Sequence, residues 1–178
     1  MDATIARAGM PAEPLLSVRG LHTRFYKDDT VIHAVNGMSL DLWPGEVLGV
    51  VGESGCGKSV TALSILRLIP RAAGRVVDGE IRFEGRDLLA LSPRELAEVR
   101  GRDISMIFQE PMTSLNPVLR IGDQVAETLQ LHKGMSRRAA WDRAVELLER
   151  VRIADPARQA REYPHRLSGG MRQRVMIA

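Results

Sequence analysis

The chain has 178 residues, of which 25 are Lys or Arg and 22 are Asp or Glu, leaving a net charge of +3. Its hydrophobic fraction of 44% and charged fraction of 26% are those of one globular domain with a real core. No apolar run approaches the ~20 residues of a membrane-spanning helix, a lone cysteine (Cys56) excludes an internal disulfide, and the arginines (Arg137, Arg138, Arg143, Arg150, Arg152) are scattered over helix faces rather than gathered into a nucleic-acid footprint.

Met1–Arg7 has no basic start followed by an apolar stretch, so no secretory signal is expected, and a reducing, cytosolic setting is. Residues 1–14 read as a loose tail. Leu15 to Phe25 alternates as a strand, with Gly20 its weak spot, and Lys27-Asp28-Asp29-Thr30 is a turn. Val31 to Leu42 reads as one or two strands broken near Asn36-Gly37, and Pro44-Gly45 is another turn. Glu46 to Val51 is a continuous apolar strand of the kind buried on both faces of a parallel sheet. Val60, Leu63, Ile65, Leu66 and Ile69 give a helical pattern over Lys58 to Ile69, which Pro70 ends.

Glu80 to Phe83 is a further strand before a Glu84-Gly85-Arg86 turn. Ser92-Pro93-Arg94-Glu95 is a capping box that opens a short helix ending at Gly101. Ile104 to Phe108 is another strand, followed by Gln109; Pro111, Asn116 and Pro117 then mark a loop. Asp123 to His132 and Ser136 to Val151 read as helices separated by Gly134, the second with Ser136 as N-cap and Ala140, Ala144, Leu147, Leu148 and Val151 on one face. A sheet-rich part over 15–110 is thus followed by a helical part over 111–166, and by a last segment, 167–178.

Gly52-Glu53-Ser54-Gly55-Cys56-Gly57-Lys58-Ser59 has the spacing of a phosphate-binding loop, set between a strand and a helix as that function requires. The glycines let backbone N–H groups converge on one concavity, and the helix that continues through Val60 adds its N-terminal dipole. Lys58 would reach the β- and γ-phosphates, Ser59 would ligate Mg²⁺, and Cys56 is a small spacer. This motif alone does not separate a transporter ATPase from a kinase, a GTPase or a recombinase.

Leu167-Ser168-Gly169-Gly170-Met171-Arg172-Gln173-Arg174 does separate them: it resembles the signature motif of ABC-type ATPases, with Met171 where glutamine is commonest. Gln109 resembles the family's Q-loop glutamine. The stretches Ile107 to Pro117 and Tyr163 to Ala178 look like the oligopeptide, dipeptide and nickel importer ATPases, in which methionine after the two glycines is usual. The resemblance covers about Leu15 to Ala178 and implies a P-loop NTPase fold, with a RecA-like mixed sheet, an antiparallel β part and a helical subdomain.

It implies ATP and Mg²⁺ as cofactors, with Gln109 at the metal or the attacking water, and Phe25 (or Tyr26) stacking on adenine. Ser168, Gly169, Gly170 and Met171 would open a helix whose free N–H groups face the γ-phosphate of ATP held by a second, homologous subunit, in a head-to-tail dimer. Two membrane permease subunits, met by the Glu110–Arg120 loop, and an extracytoplasmic solute-binding protein acting indirectly complete the implied assembly, at the cytoplasmic face of the inner membrane. Nucleic acid is not an expected partner. His22, His33, His132 and His165 show no metal-ligand spacing, and Arg172 and Arg174 are surface or interface residues rather than catalysts.

In the family an apolar strand ending in Asp-Glu follows the signature helix, and a switch histidine comes later; neither is among residues 1–178. The expectation is a truncated form that binds nucleotide weakly and hydrolyses little, with Val47 to Val51 left as an exposed edge. The alternatives are a non-transport ABC-type ATPase, for which the chain lacks the coiled-coil insertion or tandem domain, and a non-functional nucleotide-binding fragment. Import of peptides is the reading implied for the parent protein, with nickel and other small solutes behind it.

Overall fold

The computed structural model describes residues 13–108 and 114–178, which fall into two compact units, one up to Leu96 and one from Ala97 onward. Most of the expected N-terminal tail, together with Gln109, lies outside the described residues.

The first unit is built on four antiparallel strands in the order β2-β1-β3-β4: β1 (Leu16–Lys27), β2 (Thr30–Leu42), β3 (Gly74–Phe83) and β4 (Arg86–Asp87). The expected turn at Asp28-Asp29 closes the β1–β2 hairpin, Lys27 pairing with Thr30 and Asp28 adopting a φ of 50°. β2 is one strand rather than two: the irregularity at Asn36-Gly37 survives as a register shift where Leu21 faces Met38 and His22 faces Asn36. A second shift leaves Ala34 as an extra residue between Val35, opposite Thr23, and His33, opposite Arg24. β3 begins at Gly74, six residues before the expected start. At the β1–β3 shift, Gly79 has a φ of 101°, and a Cβ there would lie 2.6 Å from the Gly20 carbonyl oxygen.

The helix α1 (Lys58–Ile65) packs on the sheet face that carries Thr23. Thr23 Oγ1 and Ser64 Oγ are 2.8 Å apart and both residues are buried; Ser64 donates to the Val60 carbonyl, so Thr23 donates to Ser64. Orphaning either hydroxyl at that depth costs about 1–3 kcal/mol. α1 stops a turn before Ile69. Arg67 turns left-handed (φ 50°), and the Leu68 and Arg67 amides close back on the Leu63 and Ser64 carbonyls. The Arg67 guanidinium is held by the carbonyls of Leu88 and Leu91.

Two expected strands of the core sheet are not paired. Glu46 to Val51 runs as irregular backbone, with Val47 96% and Val51 93% exposed. In the second unit Ile104 makes only an isolated bridge to Arg100, and Ile107 and Phe108 are exposed. A parallel strand exists only beside neighbours from distant sequence, and the described residues place none against either segment.

The capping box opens α2 (Pro93–Val99): the Ser92 amide donates to Glu95 Oε2 and the Glu95 amide to Ser92 Oγ. Hydrogen bonding to the carboxyl by the Ser92 side chain, and then by the Ser92 backbone amide, holds Glu95 below the usual glutamate range. In the second unit α3 (Ile121–Lys133) and α4 (Arg137–Arg150) form an antiparallel pair, Ser136 capping α4 by accepting from the Ala139 amide. α3 has no side-chain cap; its Ile121 and Gly122 amides donate to the carbonyls of Glu162 and Ala160, next to the short α5 (Pro156–Gln159). α6 (Gly169–Ile177) completes the unit. Ile121, Leu148, Ile153, Ala160, Leu167 and Val175 form its core, and Ala126, Ala140 and Ala144 a second cluster where α3 meets α4.

Candidate nucleotide-binding site

The glycine loop is shaped by three contacts. Gly57, the N-cap of α1, sits at φ 93°, and a Cβ there would lie 2.4 Å from the carbonyl oxygen of Ala34, the bulged residue of β2. At Gly52 a Cβ would lie 2.6 Å from Cys56 Sγ. The Cys56 amide donates to the Glu53 carbonyl, which tightens the turn through Ser54 and Gly55. Cys56 is an exposed free thiol, consistent with a spacer.

Lys58 Nζ folds back over this loop, 2.7 Å from the carbonyl oxygens of both Gly52 and Glu53 and 3.4 Å from Cys56 Sγ. The ammonium is therefore at the mouth of the loop, occupied by backbone acceptors that an anion would replace. Thr61 is the first residue of α1 whose amide reaches a carbonyl, that of Gly57. The amides of Lys58, Ser59 and Val60 find no acceptor among the described residues, and the Ser59 hydroxyl is exposed. Free amides, a lysine and an accessible hydroxyl at a helix N-terminus are a donor set for phosphate and for a hard cation such as Mg²⁺.

Beside the loop lies a cavity of about 500 Å³. Its walls include His33, Asn36 and Met38 of β2, Val51, Cys56 and Lys58. The β2 wall was not anticipated from sequence; the only signal was the Asn36-Gly37 interruption, which marks the bulged stretch facing the loop. Phe25 does not line this cavity. It is half-buried at the end of β1 and packs on Gly74, whose added Cβ would be 3.0 Å from its ring. Tyr26 is exposed beneath the Arg75 guanidinium, 5.3 Å from the ring centroid.

In the second unit, Leu167 is buried in the core while Ser168, Gly169 and Gly170 are exposed. Ser168 caps α6, its Oγ accepting from the Met171 amide at 3.3 Å, and nothing lies within 4 Å of a Cβ built on Gly169 or Gly170. The two glycines thus present an open helix N-terminus. Arg172 and Arg174, expected as surface or interface residues, act as staples: Arg172 Nε donates to the Leu167 carbonyl and Arg174 Nη1 to that of Arg152. Residues 114–120 are held by Gln124, which donates to the carbonyls of Asn116 and Leu119 and accepts from the Asn116 amide. Val118 and Leu119 remain exposed. His165 stacks on Tyr163.

The sequence profile of the ABC transporter family matches residues 35–178. The chain is 56% identical over 167 residues to a probable peptide ABC transporter ATP-binding protein, y4tR, of Sinorhizobium fredii, covering 94% of this chain and 50% of that protein. It is 51% identical over 166 residues to the dipeptide transport ATP-binding protein DppD of Bacillus subtilis, covering 93% of this chain and 50% of that one. It spans about half the length of these curated relatives. Among solved structures, the dimeric MJ0796, a bacterial ABC transporter cassette, superposes with a TM-score of 0.78 at 27% identity, over 91% of this chain and 67% of that one. A post-hydrolysis dimer of the same cassette, bound to ADP and Pi, gives 0.76 at 26% identity, with the same coverage.

Proposed function

The chain belongs to the ABC transporter family, and on that premise we propose that it is the nucleotide-binding part of a subunit that couples ATP binding and hydrolysis to peptide import. The observation that carries the reading is Lys58 over a loop whose helix amides are free. Phosphate oxygens would take the place of the Gly52 and Glu53 carbonyls on the ammonium and meet the free amides of Lys58, Ser59 and Val60. Mg²⁺ supplies charge neutralisation on the β- and γ-phosphates. The Ser59 hydroxyl is placed to hold it, and Gln109 is assigned the same metal by resemblance. Phe25 is retained as the adenine-stacking residue.

Ser168 to Met171 present an anion-facing helix start to the nucleotide of a second, homologous subunit. The Gln124-stapled loop with Val118 and Leu119 exposed is the surface for a permease pair, fed by an extracytoplasmic binding protein. No helix among the described residues is long and apolar enough to cross a membrane; the reading places the subunit at the cytoplasmic face of the inner membrane, on that permease. Residues 1–178 contain no acid pair at the end of an apolar strand to polarise the attacking water, so by themselves they turn over little ATP.

The test is MgATP affinity and turnover measured on residues 1–178 and on the Lys58→Ala variant. Nucleotide binding is expected to weaken about tenfold or more on losing the ammonium. Equal affinity in the two chains would sink the assignment of the cradle. Turnover at the rate of a full-length relative, abolished by Lys58→Ala, would overturn the low-hydrolysis reading.

A further inference from the structure

Gly57 is the N-cap of α1, at φ 93°, and glycine is the residue whose torsions least resist rotation of the peptide that follows it. That peptide is nevertheless held. The Thr61 amide donates to the Gly57 carbonyl at 2.8 Å, the ordinary bond between residues four apart in an α-helix. The Thr61 hydroxyl donates to the same oxygen at 3.0 Å, a bond that a helical threonine makes and a valine of the same shape does not. Thr61 is buried, so water competes little for that proton.

The Gly57 carbonyl and the Lys58 amide belong to one trans, planar peptide unit, so its C=O and N–H point in opposite directions. An oxygen fixed toward Thr61, in the body of the helix, therefore aims the Lys58 N–H the other way, out of the helix start. There it meets no acceptor among the described residues. From outside the helix Gly57 is braced by β2. The Ala34 carbonyl oxygen occupies the place where a Gly57 side chain would begin, and Val35 Cγ2 lies 3.6 Å from that place.

We propose that Thr61 is a positioning residue for phosphate binding: its hydroxyl locks the Gly57–Lys58 peptide plane, so that the Lys58 amide is aimed before the anion arrives. The inference rests on the reading of Gly52 to Val60 as a phosphate cradle. A donor fixed in its bound orientation costs no ordering when the ligand comes, which is gained as affinity. Thr61 also lines the cavity beside Lys58. Its hydroxyl proton is committed to Gly57, so its effect on an anion runs through the peptide it holds.

The experiment titrates MgATP into the whole chain and follows the backbone amides by NMR, for the parent and for Thr61→Val, Thr61→Ser, Thr61→Ala and Lys58→Ala. Thr61→Val keeps the β-branch and leaves the Gly57 carbonyl its amide bond, so its melting curve is expected to match the parent's. It is expected to bind MgATP about fivefold more weakly, with a smaller shift of the Lys58 amide at saturation. Thr61→Ser keeps the hydroxyl and should stay within about twofold of the parent. If Thr61→Val melts early, Thr61→Ala and Thr61→Ser make the comparison, because both lack the methyl and they differ by the hydroxyl alone. The proposal fails if the chain without the hydroxyl binds as tightly as its counterpart with it while Lys58→Ala still weakens binding. Equal affinity in the parent and in Lys58→Ala would overturn the cradle itself, and the proposal with it.

Discussion

At Gly57 the backbone φ of 93° and the Ala34 carbonyl, 2.4 Å from where a Cβ would stand, impose two separate requirements on one residue. Side chains larger than hydrogen strain the torsion, and they also push a bulged strand away from the loop it shapes. Gly57→Ala is therefore expected to destabilise the chain by about 2 kcal/mol or more, read as a lowered urea midpoint at unchanged slope. An unchanged midpoint would show that the Ala34 bulge is free to move. Arg172 and Arg174 make the complementary point. As sequence they are solvated charges on an exposed helix. In the structure the long reach of arginine lets each find a carbonyl, of Leu167 and of Arg152 respectively, which residue type alone does not disclose.

Helix ends are the elements where local chemistry decides most. Ser92 with Glu95, Ser136 and Ser168 all cap the helices they were expected to start, because the acceptor and the orphan amide are within three residues of each other. The Ser92 side chain first, and then the Ser92 amide, hydrogen-bond the Glu95 carboxylate and lower its pKa relative to the unfolded chain. The lowered value means that its contribution to stability is fully present above the unfolded-state pKa and is lost as pH falls through the folded-state value. Thermal melts of the parent chain and of Glu95→Gln should thus differ near neutral pH and converge at the acid end. A gap constant down to pH 3 would rule the carboxylate out as its source. α1 and α3 are the elements that local chemistry misjudges. α1 ends early because Arg67 turns left-handed, and α3 is capped by carbonyls from around residues 160–162.

At the scale of the whole chain, Val47 and Val51 beside the glycine loop stand almost wholly exposed among the described residues. An apolar segment with unpaired backbone is a template for association. The chain is expected to associate with rising concentration, and Val47→Lys should move the onset of light scattering to higher concentration. An unmoved onset would place the association elsewhere, at Ile107 and Phe108 for example. The sequence by itself determined the β1–β2 hairpin, the helices α3 and α4, the serine caps of α2, α4 and α6, and the glycine turn that leads into α1. Each rests on interactions within a few residues or on hydrophobic periodicity. Only the tertiary structure decided that Ala34 closes on Gly57, that Thr23 anchors α1 through Ser64, and that Arg24, His33 and Arg75 align. Those outcomes depend on register and on neighbours far away in the chain, and an apolar run carries no record of which strand, if any, lies beside it.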